Sequence, residues 1–450
     1  MKILFSMHGE PGHHLGTFRL ARALVCQGHQ VAYLGMPRIR PLVEDQGFDF
    51  IAFAGHLFAE PDQVRAEPAD GAPTSRLARR RAGETLFRRY TTAIVDGSLD
   101  SCLIAARPDL LLCDSFLWYV ALRGLRLGIS TLQVSTSLFL CDNPRIPPAV
   151  SSITPRPGAF SALQISLAWK LMHLKHLFSK RLASRLFGAY RAPLRMHHLT
   201  DSFLSIARQS DFRCQRQVNY LLDEIGPHLI LPELVLCPAA FQFPGPGRRE
   251  RHHCGDFIDF QRNEPELPFD PANRTIILCS LGTSAGSYRQ ARRFFSAVAG
   301  ASAAAPQWFF VLHISDPALL ADYPSSQNLL VTSWIPQLSL LRHAVVMVHH
   351  GGLNSILECV QNEVPMVILP CARDQPGNAA RAAYHQLALT ADVSAITADR
   401  LLALIGKAVN DARLRSGLAR LKGTMEREPG LTQAVAFIEG HRLAGGRKAT

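Results

Sequence analysis

The sequence predicts an α/β protein built from two Rossmann-like domains that face a central cleft. Three observations lead there. Short apolar runs alternate with helical patterns in both halves of the chain, each half carries a strand that passes through a glycine-bearing turn into a helix, and a stretch dense in proline, glycine and charge lies between the halves. At 450 residues, 47% of them hydrophobic, the chain can bury more than one core. The predicted divisions are a first domain over 1–243, a connection over 244–270, a second domain over 271–425, and a carboxyl-terminal helix and tail over 426–450.

The first domain opens with an apolar strand, Lys2 to Met7, then a turn at His8 to His13 and a helix from about His14 to Gln27 with Leu15, Phe18, Ala21, Leu24 and Val25 among its apolar positions. Val31 to Leu34 is the next strand, so the chain begins β-α-β, the unit that builds parallel sheets and collects ligands at the carboxyl ends of its strands. Leu110 to Cys113 is a further strand ending at Asp114, a helical pattern runs on to about Leu127, and Thr131 to Val134 is another strand. From Ser151 to Thr200 there are eight lysines and arginines and no acidic residue, with Leu167, Leu171, Leu174, Phe178, Leu182 and Leu186 at helical spacing. This is a basic amphipathic helix or helix pair. Packed on a core, it would turn its charges to water; the alternative is peripheral contact with an anionic membrane through residues 165–195. A second basic cluster runs from Arg76 to Arg89, interrupted only by Glu84.

The connection follows between about Pro238 and Pro271. It contains His252, His253 and Cys254, but three consecutive residues of regular structure cannot all face one ion, so a surface loop is expected there rather than a metal site. The second domain alternates Thr275 to Cys279 (strand), Tyr288 to Ala299 (helix), Trp308 to His313 and Leu329 to Val331 (strands), residues 345–348 (strand), Asn354 to Val360 (helix) and Met366 to Leu369 (strand).

Composition narrows the class. The net charge of +12 suits nucleic acid, anionic lipid or an anionic small substrate, and no nucleic-acid module pattern accompanies it, so no nucleic-acid partner is expected. Ten cysteines without a C-x-x-C pair read as buried reduced thiols. No apolar run reaches the roughly eighteen residues of a membrane span, and KILFSM is too short for a signal-peptide core, so a cytoplasmic protein is expected.

The chemistry concentrates between Trp334 and Gln375, where WIPQ is followed by HHGGLNSILE and closed by CARDQ. His350, Gly351 and Gly352 form a strand-to-helix turn. Such a turn brings backbone N–H groups and the positive helix end to one point, favouring an anion by about 0.3–1 kcal/mol. Trp334 offers a flat face for a base, Glu358 a carboxylate able to accept both hydroxyls of a ribose, and Asp374 with Gln375 the acceptors and amide donor that suit vicinal sugar hydroxyls. Singly, each has an ordinary structural explanation. Together they describe a nucleotide-sugar site.

The block resembles the signature box of the UDP-dependent glycosyltransferases of the plant and bacterial natural-product family, whose fold is called GT-B, and the resemblance extends over nearly the whole chain. It implies that Trp334 stacks on uracil, that Gln337 and Glu358 hold ribose, that His350, Gly352, Asn354 and Ser355 bind the diphosphate, and that Asp374 and Gln375 hold the donor sugar. SLGT at Ser280 to Thr283 is similar to the family's other phosphate loop, which implies that Thr283 touches the β-phosphate. GHH at Gly12 to His14 resembles the family's G-H motif, implying that His13 is the general base and Asp114 the aspartate that orients it; His8 and His14 are local competitors. The chain departs from the plant pattern in Gly16, where proline is common, in Leu353, where plants carry tryptophan, and in a shorter interval between Gln337 and His350. DQPGNAARAAYH from Asp374 is similar to the bacterial zeaxanthin glucosyltransferase branch.

No two aspartates are spaced D-x-D and no glutamates E-x7-E, so the expected chemistry is metal-independent and inverting, with no cofactor and the UDP-sugar as co-substrate. A helix amino terminus at His13 would keep its imidazole neutral. The expected enzyme is a hexosyltransferase, with glucose favoured by Gln375, and the acceptor a hydrophobic small molecule lined by residues 55–95 and 135–200. A transferase acting on membrane lipid and a catalytically silent GT-B binding protein are the competing readings. An NAD-dependent dehydrogenase would need G-x-G-x-x-G, whereas the first turn carries Gly9, Gly12 and Gly16.

Overall fold

Two parallel sheets position everything that follows in the computed structural model, which describes residues 1–53, 94, 96–138, 143–187, 218–219, 228–245, 251–255, 257–283 and 285–445. The first contains β1 (Lys2–Ser6), β2 (Gln30–Gly35), β3 (Asp49–Ala52), β4 (Leu110–Asp114), β5 (Ser130–Ser135), β6 (Glu233–Val235) and β7 (Arg251–His253), in the order β3-β2-β1-β4-β5-β6-β7. The second contains β8 (Ile276–Ser280), β9 (Phe309–His313), β10 (Leu329–Thr332), β11 (Ala344–His349), β12 (Met366–Ile368) and β13 (Ala388–Thr390), in the order β10-β9-β8-β11-β12-β13. Helices cover both faces of a doubly wound sheet, so central strands read as unbroken apolar runs: β4 and β8 are buried along their whole length. In each sheet the winding reverses beside the first strand, between β1 and β4 and again between β8 and β11, which opens a crevice at the carboxyl ends of those strands.

The helix expected from His14 to Gln27 is divided into α1 (Pro11–Leu15) and α2 (Phe18–Cys26). Thr17 marks the break, its hydroxyl donating back to His14 O at 2.8 Å and lying 3.0 Å from the Tyr33 hydroxyl. His13 therefore sits inside a one-turn helix rather than in a turn. The helix expected from Tyr288 starts later and runs from Ala291 to Ala304.

The basic segment forms one helix, α3 (Ala159–Phe187), but not with the expected face inward. Ile165, Trp169 and Met172 are its buried contacts, and Trp169 Nε1 donates to Ile146 O at 2.9 Å. Leu167, Leu171 and Leu174 are exposed, together with Phe160 and Leu163. The apolar period was real, but a short, Trp-anchored stripe on the other side won the packing. The side chains of Phe178, Leu182 and Leu186, the Arg76–Arg89 cluster and most of the expected acceptor-lining residues lie outside the described residues.

The connection is also more structured than its composition suggests. Arg251–His253 pairs in parallel with β6 as the edge strand of the first sheet, and Cys254 is buried, where a surface loop was expected. In the second lobe α4 (Leu353–Gln361) and α5 (Gln375–Tyr384) follow the motif turns, while α6 (Gly430–Gly445) returns to the first lobe and buries Ala434 and Ile438 beside Phe18 and Leu24. Its entry depends on a glycine pair: a Cβ on Gly255 would stand 2.8 Å from Gly430 Cα.

Candidate active site

At the crevice of the first sheet, Asp114 ends β4 fully buried, with no water to solvate its charge. Three donors replace the water. His13 Nδ1 donates to Oδ2 at 2.7 Å, His8 N to the same oxygen at 3.1 Å and Phe116 N to Oδ1 at 2.9 Å. Burial pushes this carboxyl's pKa up, but the charge and hydrogen bond of His13 pull it further down, to a net value below the usual carboxylate range.

The same pair acts on the histidine in the opposite sense. Burial would lower the His13 pKa, and the Asp114 charge and hydrogen bond overcome it, so the ring titrates above the ordinary histidine value. The expectation that a helix amino terminus lowers it fails. His13 lies near the carboxyl end of the one-turn α1, and the carboxylate at 2.7 Å dominates. Thr136 Oγ1 is 3.0 Å from the same ring nitrogen, and the Asp114 carboxylate, which can only accept, keeps the proton on Nδ1, so Nε2 carries the lone pair that can accept a proton.

Geometry separates the three histidines. His14 is core: it is 1% exposed, packs near the Tyr33 ring, and burial pushes its pKa down to about 4. His8 packs against His13 with the rings tilted and their centres 4.9 Å apart, and burial together with the His13 charge lowers its pKa to about 4 as well. Phe116 packs edge-on to His13 at 5.1 Å, fixing the ring plane. His8, Glu10 and His13 are the one metal-ligand-type group found among the described residues, with ligand atoms within 4.8 Å of one another. Two of those residues are already engaged, His13 with Asp114 and Glu10 with Arg373.

At the second crevice, His350 lies between two glycine turns. A Cβ on Gly282 would approach its Cε1 to 2.7 Å and one on Gly352 its Nε2 to 2.8 Å, so both phosphate-type loops must be glycine at those points to close over the ring. Burial pushes the His350 pKa down to about 4 against a smaller raising contribution from the Ser280 backbone, and its buried Nδ1 has no hydrogen-bond partner among the described residues. α4 begins at Gly352 with no side-chain cap on its first-turn N–H groups, so their positive end faces the crevice. Thr283, in the facing loop, is exposed. His349, one residue earlier, shapes the turn by accepting from Gly351 N at 3.3 Å.

The other predicted donor residues fall around this nest. Trp334 is 51% exposed, its face open as a base would need. Gln337 Nε2 reaches Glu358 Oε2 at 2.5 Å and Ser355 Oγ at 3.3 Å, so three predicted residues form one hydrogen-bonded group. Asp374 lies close enough across the cleft for its charge to act on His13, and burial raises its own pKa. Gln375 does more structural work than expected: its Oε1 accepts from Cys371 N (2.8 Å) and Ala372 N (2.9 Å), and its Nε2 donates to the Tyr288 hydroxyl (2.9 Å). Asn354 likewise has a partner besides any phosphate, donating from Nδ2 to Gly12 O of the opposite lobe at 2.8 Å. Arg373 Nη1 donates to Glu10 Oε2 at 2.7 Å, a second bond across the cleft. Further along α5, Asn378 Nδ2 bonds Gly351 O at 3.1 Å, and the fully buried Arg381 holds Gln242 Oε1 at 2.7 Å.

Sequence reading missed Thr136, Phe116, Glu10, Arg373, Tyr288 and Arg262. Phe116, Glu10 and Arg373 lie within three residues of Asp114, His13 and Asp374, whereas Thr136, Tyr288 and Arg262 meet their partners only through the fold.

Residues 262–439 match the family model described as UDP-glucoronosyl and UDP-glucosyl transferase. The chain is 29% identical over 214 residues to the demethyllactenocin mycarosyltransferase of Streptomyces fradiae, covering 46% of this chain and 45% of that protein. It is 31% identical over 167 residues to the oleandomycin glycosyltransferase of Streptomyces antibioticus, covering 36% and 38% respectively. The matched stretch thus spans less than half the length of these relatives. Over its full extent the fold is similar to the crystal structure of the glycotransferase of kitacinnamycin, with a TM-score of 0.68, 22% identity and 98% of each chain covered. Residues 262–439 are thus similar to the UDP-glucoronosyl and UDP-glucosyl transferases, within a two-domain GT-B fold that extends over the chain.

Proposed function

We propose that the protein is a metal-independent, inverting hexosyltransferase that moves a sugar, glucose in the first instance, from a UDP-sugar to a hydroxyl of a hydrophobic small molecule of natural-product or carotenoid type. One observation carries this reading: an oriented His13–Asp114 pair at one sheet crevice faces an anion nest at the other, with two hydrogen bonds spanning the gap. His13 Nε2 takes the acceptor's hydroxyl proton, the oxygen attacks the anomeric carbon in line, and the bond to the diphosphate breaks with its electron pair leaving on UDP. The charge that develops there meets the first-turn N–H groups of α4 together with Thr283 and His350. A UDP-α-sugar would give a β-glycoside. The test is His13→Ala: transfer should fall by about 10²–10⁴-fold with UDP affinity nearly intact, and equal rates in variant and parent would assign the base elsewhere.

The exposed stripe of α3 favours a second reading of where the acceptor resides. Phe160, Leu163, Leu167, Leu171 and Leu174 line one helix face, Lys170 is exposed beside them, and residues 143–200 contain no acidic group. That chemistry suits an anionic bilayer surface, with the protein cytoplasmic and peripheral on the inner face and its acceptor dissolved in the membrane. No helix among the described residues is long and apolar enough to cross a membrane. Flotation with phosphatidylglycerol vesicles decides it: Leu167→Gln with Leu171→Gln should abolish binding, and unchanged flotation would remove this reading.

A further inference from the structure

The strap between the lobes reaches into the predicted nucleotide site through one side chain. Arg262 is 9% exposed and forks between two carboxylates, with Nη1 on Glu358 Oε1 at 2.7 Å and Nε on Glu264 Oε1 at 2.7 Å. Glu264 in turn accepts from Leu338 N (3.2 Å), Ser339 N (3.0 Å) and Ser339 Oγ (3.2 Å), fixing the helical turn that starts at Gln337. Gln337 closes the ring by donating to the second oxygen of Glu358. On its other side the strap is held by the first lobe: Gln46 Oε1 accepts from Asn263 N at 2.9 Å, Gln46 Nε2 donates to Asn263 O, and Arg22 Nε donates to Asp259 Oδ2 at 2.9 Å.

The consequence concerns Glu358. A glutamate that is 5% exposed at its side chain is costly to leave unpaired, and without a partner its carboxylate plane is free to turn. Arg262 and Gln337 each take one lone pair on a different oxygen. Each oxygen keeps acceptor capacity in a fixed plane, which suits two hydroxyl donors. A lysine, a point charge without the planar fork, would neutralise the carboxylate but not hold both Glu358 and Glu264 in plane.

We propose that Arg262 is a positioning residue for the donor's ribose: by fixing the Glu358 carboxylate and, through Glu264, the Gln337 turn, it makes the site select a ribonucleotide over its 2′-deoxy counterpart. This rests on the reading that Glu358 and Gln337 receive the ribose. Arg262 itself need not touch the nucleotide.

The test is calorimetric binding of UDP and of 2′-deoxy-UDP to the full chain, in the parent, R262Q and R262K, with thermal unfolding recorded for each. The parent should prefer UDP by about tenfold, since a buried acceptor pair left without its donor is penalised. R262Q should weaken UDP by about tenfold and 2′-deoxy-UDP by less than about threefold, collapsing the preference, while R262K keeps part of it. A role confined to stability would lower both affinities together, so equal losses, or a preference that survives in R262Q, overturn the proposal. If R262Q does not fold, R262K is read by the same ratio: an undiminished preference overturns the proposal and a reduced one supports it. A parent that binds both nucleotides equally also overturns it, whereas a parent that binds neither overturns the donor-site reading on which it stands.

Discussion

The two crevices are built on the same topology and differ in how complete they are. In the first lobe every polar atom of Asp114 is paired within the protein, and His13 is aimed by a carboxylate, a hydroxyl and an aromatic edge. In the second lobe, among the described residues, the His350 Nδ1 has no partner, the first turn of α4 has no side-chain cap and the Trp334 face is open. The His13–Asp114 pair is complete before any ligand arrives, although the buried His8 Nδ1 beside it also has no partner among the described residues; on the proposed function the nest is completed by its ligand. A catalytic base must keep one orientation and one tautomer throughout a reaction cycle, whereas a nest for a departing anion must have unspent donors.

Three perturbations sharpen this contrast, in decreasing order of effect. Asp114→Asn should strike the finished site hardest, lowering kcat/KM by about 10²-fold or more. Its pH profile gives the sign. The base works when neutral, and the parent His13 pKa is raised above 6.5, so parent activity should be lost as pH falls through a value above 6.5 and retained on the alkaline side. With the carboxylate gone, the largest contributions opposing burial are lost, only the smaller ones from the Glu10 and Asp374 charges remain, and the acid limb should move to lower pH. A limb that stays put would mean another group sets it.

Gly282→Ala tests the unfinished site. The new Cβ would stand 2.7 Å from the His350 ring, at a backbone φ of +73° that alanine adopts reluctantly, and a clash of that kind costs about 1–3 kcal/mol. UDP affinity should fall by about tenfold in a binding titration, while the acid limb set by His13 keeps its position. Glu10→Gln, which weakens the Arg373 bridge across the cleft, should have the smallest effect: Arg373 is 47% exposed and such pairs contribute about 1 kcal/mol or less. A two- to fivefold loss of kcat/KM that disappears in high salt is expected. A loss as large as that of Asp114→Asn would make the bridge part of the catalytic machinery instead.

How much of this the sequence revealed depended on whether the information was local. Alternating apolar runs located most strands of both sheets to within a residue or two, because a buried parallel strand needs a continuous hydrophobic stretch wherever it lies. Four short strands escaped, the edge strands β3, β7 and β13 and the interior β6. Each has only three or four residues, and β7 carries the charged, histidine-rich sequence that read as a loop. Helical period identified α3 but not its inward side, since Leu167 and Trp169 both fit an amphipathic pattern and only the packing partner Ile146 chooses between them.

The same division runs through the site. The HHGGLNSILE turn determined its own geometry, because glycine placement and the strand-to-helix switch are properties of neighbouring residues. The choice of His13 over His8 and His14, the upward shift of its pKa and the grip of Arg262 on Glu358 were decided only when distant segments met. Hydrogen bonds and charge interactions act over a few ångströms of space, not along the chain. A sequence can therefore supply every partner and still leave unsaid which of them will touch.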